Sequence, residues 1–235
     1  MNKLEFNQSV KDLGLDLNTL QLAQFHRYYE LLKEWNEKMN LTGITEEDAV
    51  YEKHFYDSLL SIKDFIYEGR MIDVGSGAGF PGLVLKIAYP ELETVLLEPI
   101  GKRCTFLKAV IDELKLEKIE VVNARSEDYA KDNRESFDIA TARAVSNLNI
   151  LSELCVPLIK VGGCFVILRG ASGLEEIKEA KEALKVLGTK EDKVIEMELP
   201  DSSKRIIAYY KKVKSTNNKY PRNYGVMKKK PLWVK

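Results

Sequence analysis

Two rhythms of apolar and polar positions divide the chain. Over the first 66 residues Leu22, Phe25, Tyr29, Leu32 and Met39 recur every three or four positions, which predicts helices with one apolar stripe in need of a partner surface. A second helical pattern follows Thr45-Glu46-Glu47-Asp48, with Thr45 as the expected N-cap, and runs through Val50, His54, Leu59 and Leu60. From residue 70 short apolar runs alternate with amphipathic stretches, the rhythm of βαβ units and a mainly parallel sheet. Strands are expected over 71–74, 94–98, 119–122, 137–142 and 164–168, with helices over 81–88, 102–114, 148–158 and 174–187. Two further strands, 194–199 and 205–213, are joined by a short link and should pair as an antiparallel hairpin at a sheet edge. The segment from Ser215, with Asn217, Asn218, Pro221, Gly225 and Pro231, reads as an irregular arm. The expected organisation is a helical cap over 1–66, an α/β sheet domain over 67–213 and an arm over 214–235.

Composition narrows the class. With 235 residues, 45% hydrophobic and 31% charged, the chain can bury a sizeable core and is neither collagen-like nor low-complexity. No leader-like pattern opens it and no apolar run approaches the ~18 residues of a membrane span, so a cytoplasmic protein is expected. Cys104, Cys155 and Cys164 are odd in number and isolated, which suits buried thiols rather than a disulfide framework. His26 and His54 lie too far apart to suggest a metal site.

Overall charge is balanced, 36 basic against 36 acidic residues, but its distribution is not. From Ser202 onward there are eleven Lys or Arg and no acid, leaving 25 basic against 36 acidic residues in the first 201. A basic tail on an acidic body fits a polyanionic partner such as RNA; a solvated, solubilising tail is the alternative.

The most informative stretch is Met71-Ile72-Asp73-Val74-Gly75-Ser76-Gly77-Ala78-Gly79-Phe80-Pro81-Gly82, a strand running into glycines and then into a helix. Glycines let backbone approach a ligand, and Pro81 suits a first helical turn. Such a loop presents N–H groups and a partial positive charge to an anionic ligand group. Glu98 ends the next strand, about twenty residues beyond the loop, where an acid commonly accepts hydrogen bonds from ribose hydroxyls. Gly77-x-Gly79-x-x-Gly82 satisfies the dinucleotide fingerprint, so an NAD-dependent oxidoreductase stays open. Asp73-x-Gly75-x-Gly77-x-Gly79 instead resembles the first motif of class I methyltransferases that use S-adenosylmethionine, where Asp73 would supply negative charge toward an ammonium group or order a water.

The resemblance becomes specific further along. Asp73 to Gly82, Glu98-Pro99-Ile100-Gly101-Lys102-Arg103 with Phe106-Leu107, Ala124-Arg125-Ser126-Glu127, Arg143-Ala144-Val145, and Lys219-Tyr220-Pro221-Arg222 with Lys230-Pro231-Leu232 together resemble the RsmG family, also called glucose-inhibited division protein B. Asn40-Leu41-Thr42 and His54-Phe55-Tyr56-Asp57-Ser58-Leu59 extend the likeness into the helical cap. These are bacterial small-subunit ribosomal RNA guanine-N7 methyltransferases with a Rossmann-like fold. The resemblance implies a cofactor pocket lined by Gly75, Ser76, Gly77, Gly79 and Phe80 near Asp73, with Glu98 at the ribose, Ser126 and Glu127 beside the adenine, and Arg143 at the methyl-transfer end. Ser126 stands where the family often has Ala, Pro99 where Ser is common, and Arg169-Gly170 where Lys-Gly is frequent.

Methylation of guanine N7 needs no general base, because no proton covers that lone pair; proximity and orientation carry most of the acceleration. The chain agrees in what it lacks: Ala142-Arg143-Ala144-Val145 is not the Asn/Asp-Pro-Pro-aromatic loop of exocyclic-amine methyltransferases, and Cys155 precedes Val156 rather than follows a proline. Arg143 is the candidate catalytic side chain, donating to guanine O6 or a phosphate. Lys102, Arg103, Arg125, Arg169, Lys219 and Arg222 are the candidate RNA contacts, with Tyr220 and Tyr224 as stacking platforms. Small-subunit ribosomal RNA is the expected partner of a monomer, and a non-catalytic RNA-binding or assembly module is the remaining alternative.

Overall fold

The computed structural model describes residues 1–143 and 146–232; the Ala144-Val145 part of the motif above and the tail cation Lys235 lie outside the described residues. Helices α1 (Lys3–Asp12) and α2 (Thr19–Met39) open the chain, each started by an asparagine, Asn2 and Asn18, in a capping box. A continuous helical run follows: α3 (Glu47–Val50), a π turn (Tyr51–Tyr56), α4 (Asp57–Leu59) and a 3-10 turn (Leu60–Asp64). It begins one residue later than a Thr45 cap would set it, with Glu46 at the cap position and no side-chain bond there.

The alternating region then gives β1 (Arg70–Val74), α5 (Gly82–Ala88), β2 (Glu93–Leu97), α6 (Gly101–Leu114), β3 (Ile119–Val122), α7 (Ser126–Tyr129), β4 (Phe137–Arg143), α8 (Leu148–Cys155), β5 (Ile159–Arg169), α9 (Gly173–Leu187), β6 (Thr189–Glu198) and β7 (Lys204–Lys212). One seven-stranded sheet has the order β3-β2-β1-β4-β5-β7-β6, parallel except that β7 runs antiparallel to both β5 and β6. The strand order reverses between β1 and β4, and the crevice at the carboxyl ends of those two strands is where open α/β sheets hold ligands. Strand β5 starts at Ile159 rather than near Cys164 because it bulges: Phe137 pairs with Ile159 but Ile139 pairs with Cys164. The intervening Lys160-Val161-Gly162-Gly163 reads as loop in the sequence, and Gly162 takes φ +94°.

Parallel strands are buried on both faces, and here each face has its own core. On one face Met71, Leu96 and Val166 pack with Leu83 and Phe106, and with Phe6, Phe25 and Phe55 from the N-terminal helices. Those helices therefore share the core of the sheet. On the other face Ile72, Ala140 and Phe165 pack with Leu151 and Leu184, and with Tyr220, Met227 and Leu232 from beyond β7. The C-terminal segment is irregular over 213–223, as expected, but it does not stand off as an arm: it goes on to form the short α10 (Tyr224–Lys229), and Tyr220, Met227 and Leu232 complete a core. The three cysteines are buried free thiols.

Candidate active site

The loop after β1 is tied down from three sides. The Gly75 N–H donates to Leu97 O at 2.7 Å, fixing the loop to the end of β2. The Ser76 hydroxyl turns inward and donates to Asp73 O at 2.9 Å, so its proton is used within the loop. Gly75, Gly77 and Gly79 all have positive φ, and two of them differ in what holds them as glycine. A Cβ on Gly79 would lie 2.5 Å from the Tyr28 hydroxyl and 2.4 Å from Leu83 Cδ1, whereas one on Gly77 would meet nothing closer than Gly75 O at 3.9 Å. Gly79 is a packing glycine; Gly77 faces open space.

Two acids flank the loop. Glu98, 1% exposed, accepts the Gly77 N–H at Oε2 (2.8 Å) and the Ile100 N–H at Oε1 (2.9 Å). A carboxylate has about four acceptor sites, so two remain for hydroxyl donors. Asp73 lies beneath the loop, wholly buried; its Oδ2 accepts the Gly82 N–H at 3.0 Å and its Oδ1 has no partner. Burial raises its pKa to about 7, against the opposing pull of the Gly82 N–H.

Arg143, at the end of β4, faces this loop across the switch point. Its guanidinium donates to Asp57 Oδ2 (3.2 Å), to Lys53 O (3.3 Å) and to His54 Nδ1 (3.1 Å), with Cζ 4.9 Å from the centre of the Phe80 ring. Asp57 also accepts from Arg205 Nε at 2.6 Å, so one buried carboxylate bridges two guanidiniums. The sequence marks the stretch from His54 to Asp57 without giving it a role, and it does not mark Arg205. The signal was present in Lys53, His54 and Asp57, polar positions three and four apart in a helical pattern whose apolar positions are Val50, Phe55, Leu59 and Leu60.

Three cavities meet along this edge. A slot of about 160 Å³ lies between Val74, Ala124, Ser126, Leu154, Arg125 and Tyr224. It shares Gly75 and Pro99 with a middle chamber of about 340 Å³ that includes Thr42, Gly77, Phe80 and Glu98. The middle chamber shares His54 and Arg143 with an outer cavity of about 620 Å³, walled by Asp57, Arg169, Glu176 and Arg205. The Ser126 hydroxyl is used internally, donating to Leu154 O at 2.6 Å, so at the slot it has only backbone to offer.

Residues 21–208 match the family profile of GidB, rRNA small subunit methyltransferase G. The chain is 46% identical to the Ribosomal RNA small subunit methyltransferase G of Lysinibacillus sphaericus, over 99% of this chain and 100% of that protein. It is 47% identical to the protein of the same name from Bacillus velezensis, over 99% of each. The chain belongs to this family. Its fold is that of class I methyltransferases: the 16S rRNA (adenine(1408)-N(1))-methyltransferase from Catenulisporales acidiphilia superposes with a TM-score of 0.52 at 14% identity, covering 63% of this chain and 89% of that one. A SAM-dependent methyltransferase from Aquifex aeolicus gives 0.52 at 15%, covering 72% and 96%.

The cations expected to follow RNA divide into two groups. Lys102, Arg125 and Lys219 are exposed and Arg103 is half-exposed beside the middle chamber, 4.0 Å from Glu98. Arg169 is buried, donating to Ser146 O at 2.9 Å with Nε 3.0 Å from Glu176, so it is a wall of the outer cavity rather than a surface phosphate contact. Arg222 is committed to Glu153, with Nε 2.8 Å from Oε1 and Nη2 2.7 Å from Oε2, and is an anchor of the C-terminal segment. Tyr220 is buried in the core and presents no face to a base. Glu127 is half-buried at the slot, beside Ser126. The tail's charge is also partly internal: Arg205, Lys212 and Arg222 pair with Asp57, Glu135 and Glu153.

Proposed function

We propose that the protein transfers a methyl group from S-adenosylmethionine to N7 of a guanine in small-subunit ribosomal RNA. The observation that carries the reading is the row of three neighbouring cavities, sharing lining residues, along the carboxyl edge of the sheet around the β1/β4 switch point, each with the chemistry one part of the reaction requires. The slot suits a flat base. Glu98, with two acceptor sites open, suits a ribose. The middle chamber has the loop backbone for a carboxylate and the buried Asp73 charge below the loop for an ammonium group. Bound there, the cofactor supplies a methyl group on a sulfonium, an electrophile that needs no further activation.

The chain's own task is orientation. Arg143 and His54 line both the middle and the outer cavity, and Arg143, held by three hydrogen bonds to the 53–57 turn of the N-terminal region, is positioned toward the incoming base. A fixed guanidinium can donate to guanine O6 while leaving N7 uncovered. The many internal bonds that fix Arg143, Ser76 and Glu98 before any ligand arrives are the kind of preorganisation that lowers a barrier through proximity. The partner is the ribosomal RNA, met around the same edge by the exposed cations Lys102 and Arg125, with Lys219 exposed farther off on the C-terminal segment, and the compartment is the cytoplasm, where the enzyme acts as a monomer. Among the described residues no helix is long and apolar enough to cross a membrane.

The test is transfer of labelled methyl from S-adenosylmethionine to purified small subunits, with the modified nucleotide mapped. Label at guanine N7 is expected. RNA binding without incorporation would instead favour an assembly module, and nicotinamide binding without S-adenosylmethionine binding would favour an oxidoreductase.

A further inference from the structure

The slot is walled by the ends of β1 and β2, the turn after β3, the start of α7 and Leu154 of α8, and one further wall comes from outside the sheet domain: Tyr224, the first residue of α10. We propose that Tyr224 forms the wall against which the cofactor's adenine stacks, which makes the C-terminal segment part of the cofactor site. The inference rests on the methyltransferase reading above and adds a residue to it.

Three observations support it. First, Tyr224 is half-buried, and the guanidinium of Arg125, the cap residue just before Ser126 and Glu127, lies over its ring at 5.9 Å from the centroid. Tyr224 lines the slot together with Val74, Ala124 and Leu154, an apolar setting in which an aromatic ring can stack on a purine. Second, the segment is held in place. Arg222 reaches Glu153 with both its guanidinium and its backbone N–H (2.7 Å), and Glu153 precedes Leu154, which lines the slot and whose carbonyl fixes Ser126. Third, the stretch leading to Tyr224 is fastened upstream as well: Arg134 donates to the carbonyls of Thr216, Asn217 and Tyr220, and the Tyr220 ring is buried. This anchoring lies within eight residues before Tyr224, and Met227, three residues after it, is buried in the core, so what the anchors position at the slot is Tyr224. Without the segment the slot would be open to water, and a bound base would keep only one covered face.

Calorimetry with S-adenosylhomocysteine and with adenosine, on the full chain and its Tyr224→Ala, Tyr224→Leu and Tyr224→Phe variants, tests this. Tyr224→Ala should bind both ligands about tenfold more weakly, within the range for loss of one base–aromatic stack. The factor should be the same for both, because the lost contact is to the part they share. Tyr224→Leu should lose less and Tyr224→Phe almost nothing, with ligand-free melting unchanged in the last. Equal affinity of Tyr224→Ala and the parent protein would overturn the proposal and leave the methyltransferase reading intact; a parent protein that binds neither ligand would overturn both. Should the alanine variant fail to fold, photolabelling of the parent protein with 8-azido-S-adenosylmethionine decides: label on the peptide containing Tyr224 is expected, and label confined to the β1 and β2 loops would overturn the assignment.

Discussion

The imidazole of His54 lies on the ring of Phe80, 4.4 Å between centroids and 19° between planes, and the contact joins the N-terminal helices to the tip of the glycine loop. His54 does not act there as a titrating base: burial, and then the neighbouring Arg143, lower its pKa to about 3. Its Nδ1 lies 3.1 Å from both the Arg143 guanidinium and the Lys53 carbonyl, and its Nε2 lies 2.8 Å from Thr42 Oγ1, which accepts the Ile44 N–H at 3.1 Å and lines the middle chamber. The N-terminal helices thus supply working parts of the cavity edge.

Asp73 gives the site a pH dependence of definite sign. Its folded pKa of about 7 lies above the ordinary 3.8, so between those values the native state holds a proton the unfolded state has lost. Stability should therefore fall as pH rises from about 4 to about 7. Asp73→Asn keeps an acceptor for the Gly82 N–H and never ionises, so its melting temperature should stay flat where that of the parent protein declines. Affinity for the cationic cofactor runs in the opposite sense, rising with pH through 7 in the parent protein and not in the variant. Parallel pH profiles of the two proteins would remove both assignments.

The strands and the glycine loop were legible because each is a local pattern: apolar runs bounded by Gly and Pro, and a glycine cluster between a strand and a helix. What escaped are facts about pairs. That Arg222 meets Glu153, 69 positions away, and that Asp57 bridges Arg143 and Arg205 depend on the sheet bringing distant segments together. Charge counting takes every tail cation as free for RNA or for water, because a sequence does not show which carboxylate a lysine or arginine will reach. The polar, Asn- and Pro-rich tail reads as irregular for a similar reason: Tyr220, Met227 and Leu232 are too widely spaced to show a period, yet all three enter one core.

The Arg222–Glu153 pair should behave as a buried ion pair. Glu153 is wholly buried, and Arg222→Ala would leave its charge with only the backbone N–H of residue 222 as a donor. Loss of one partner of such a pair costs about 3 kcal/mol or more, measurable by urea denaturation. Adding Glu153→Gln to that variant should recover much of the loss, because the uncompensated charge is gone. A single variant as stable as the parent protein would show that the C-terminal segment is held by its apolar residues alone.

Lys228, Lys229 and Lys230 are exposed in the last turn of α10 and just beyond it, and with other exposed tail lysines such as Lys219 they remain available to RNA. If each neutralises one phosphate, changing all three to alanine should make the slope of log affinity against log salt shallower by about two, at ~0.7 per single-strand phosphate. Cofactor affinity should not change. An unaltered slope in a binding assay with small-subunit RNA would return these lysines to a solubilising role.

Arg143 separates binding from chemistry. Removing its side chain leaves Asp57 still paired with Arg205 at 2.6 Å, so Arg143→Ala exposes no uncompensated carboxylate and should fold. The residue stands at the junction of the middle and outer cavities and belongs to the walls of both, but the loop, Glu98 and the slot that would hold the cofactor do not depend on it. Single-turnover methylation should therefore slow by about 10- to 100-fold, the worth of one charge-assisted hydrogen bond to the base, while S-adenosylhomocysteine binds within a few-fold of the parent protein. Arg143→Lys should recover little, since a single ammonium cannot reach Asp57, His54 and the base together as the planar fork does. An Arg143→Ala variant that loses cofactor affinity and rate by the same factor would mean that this guanidinium holds the cofactor rather than orients the guanine.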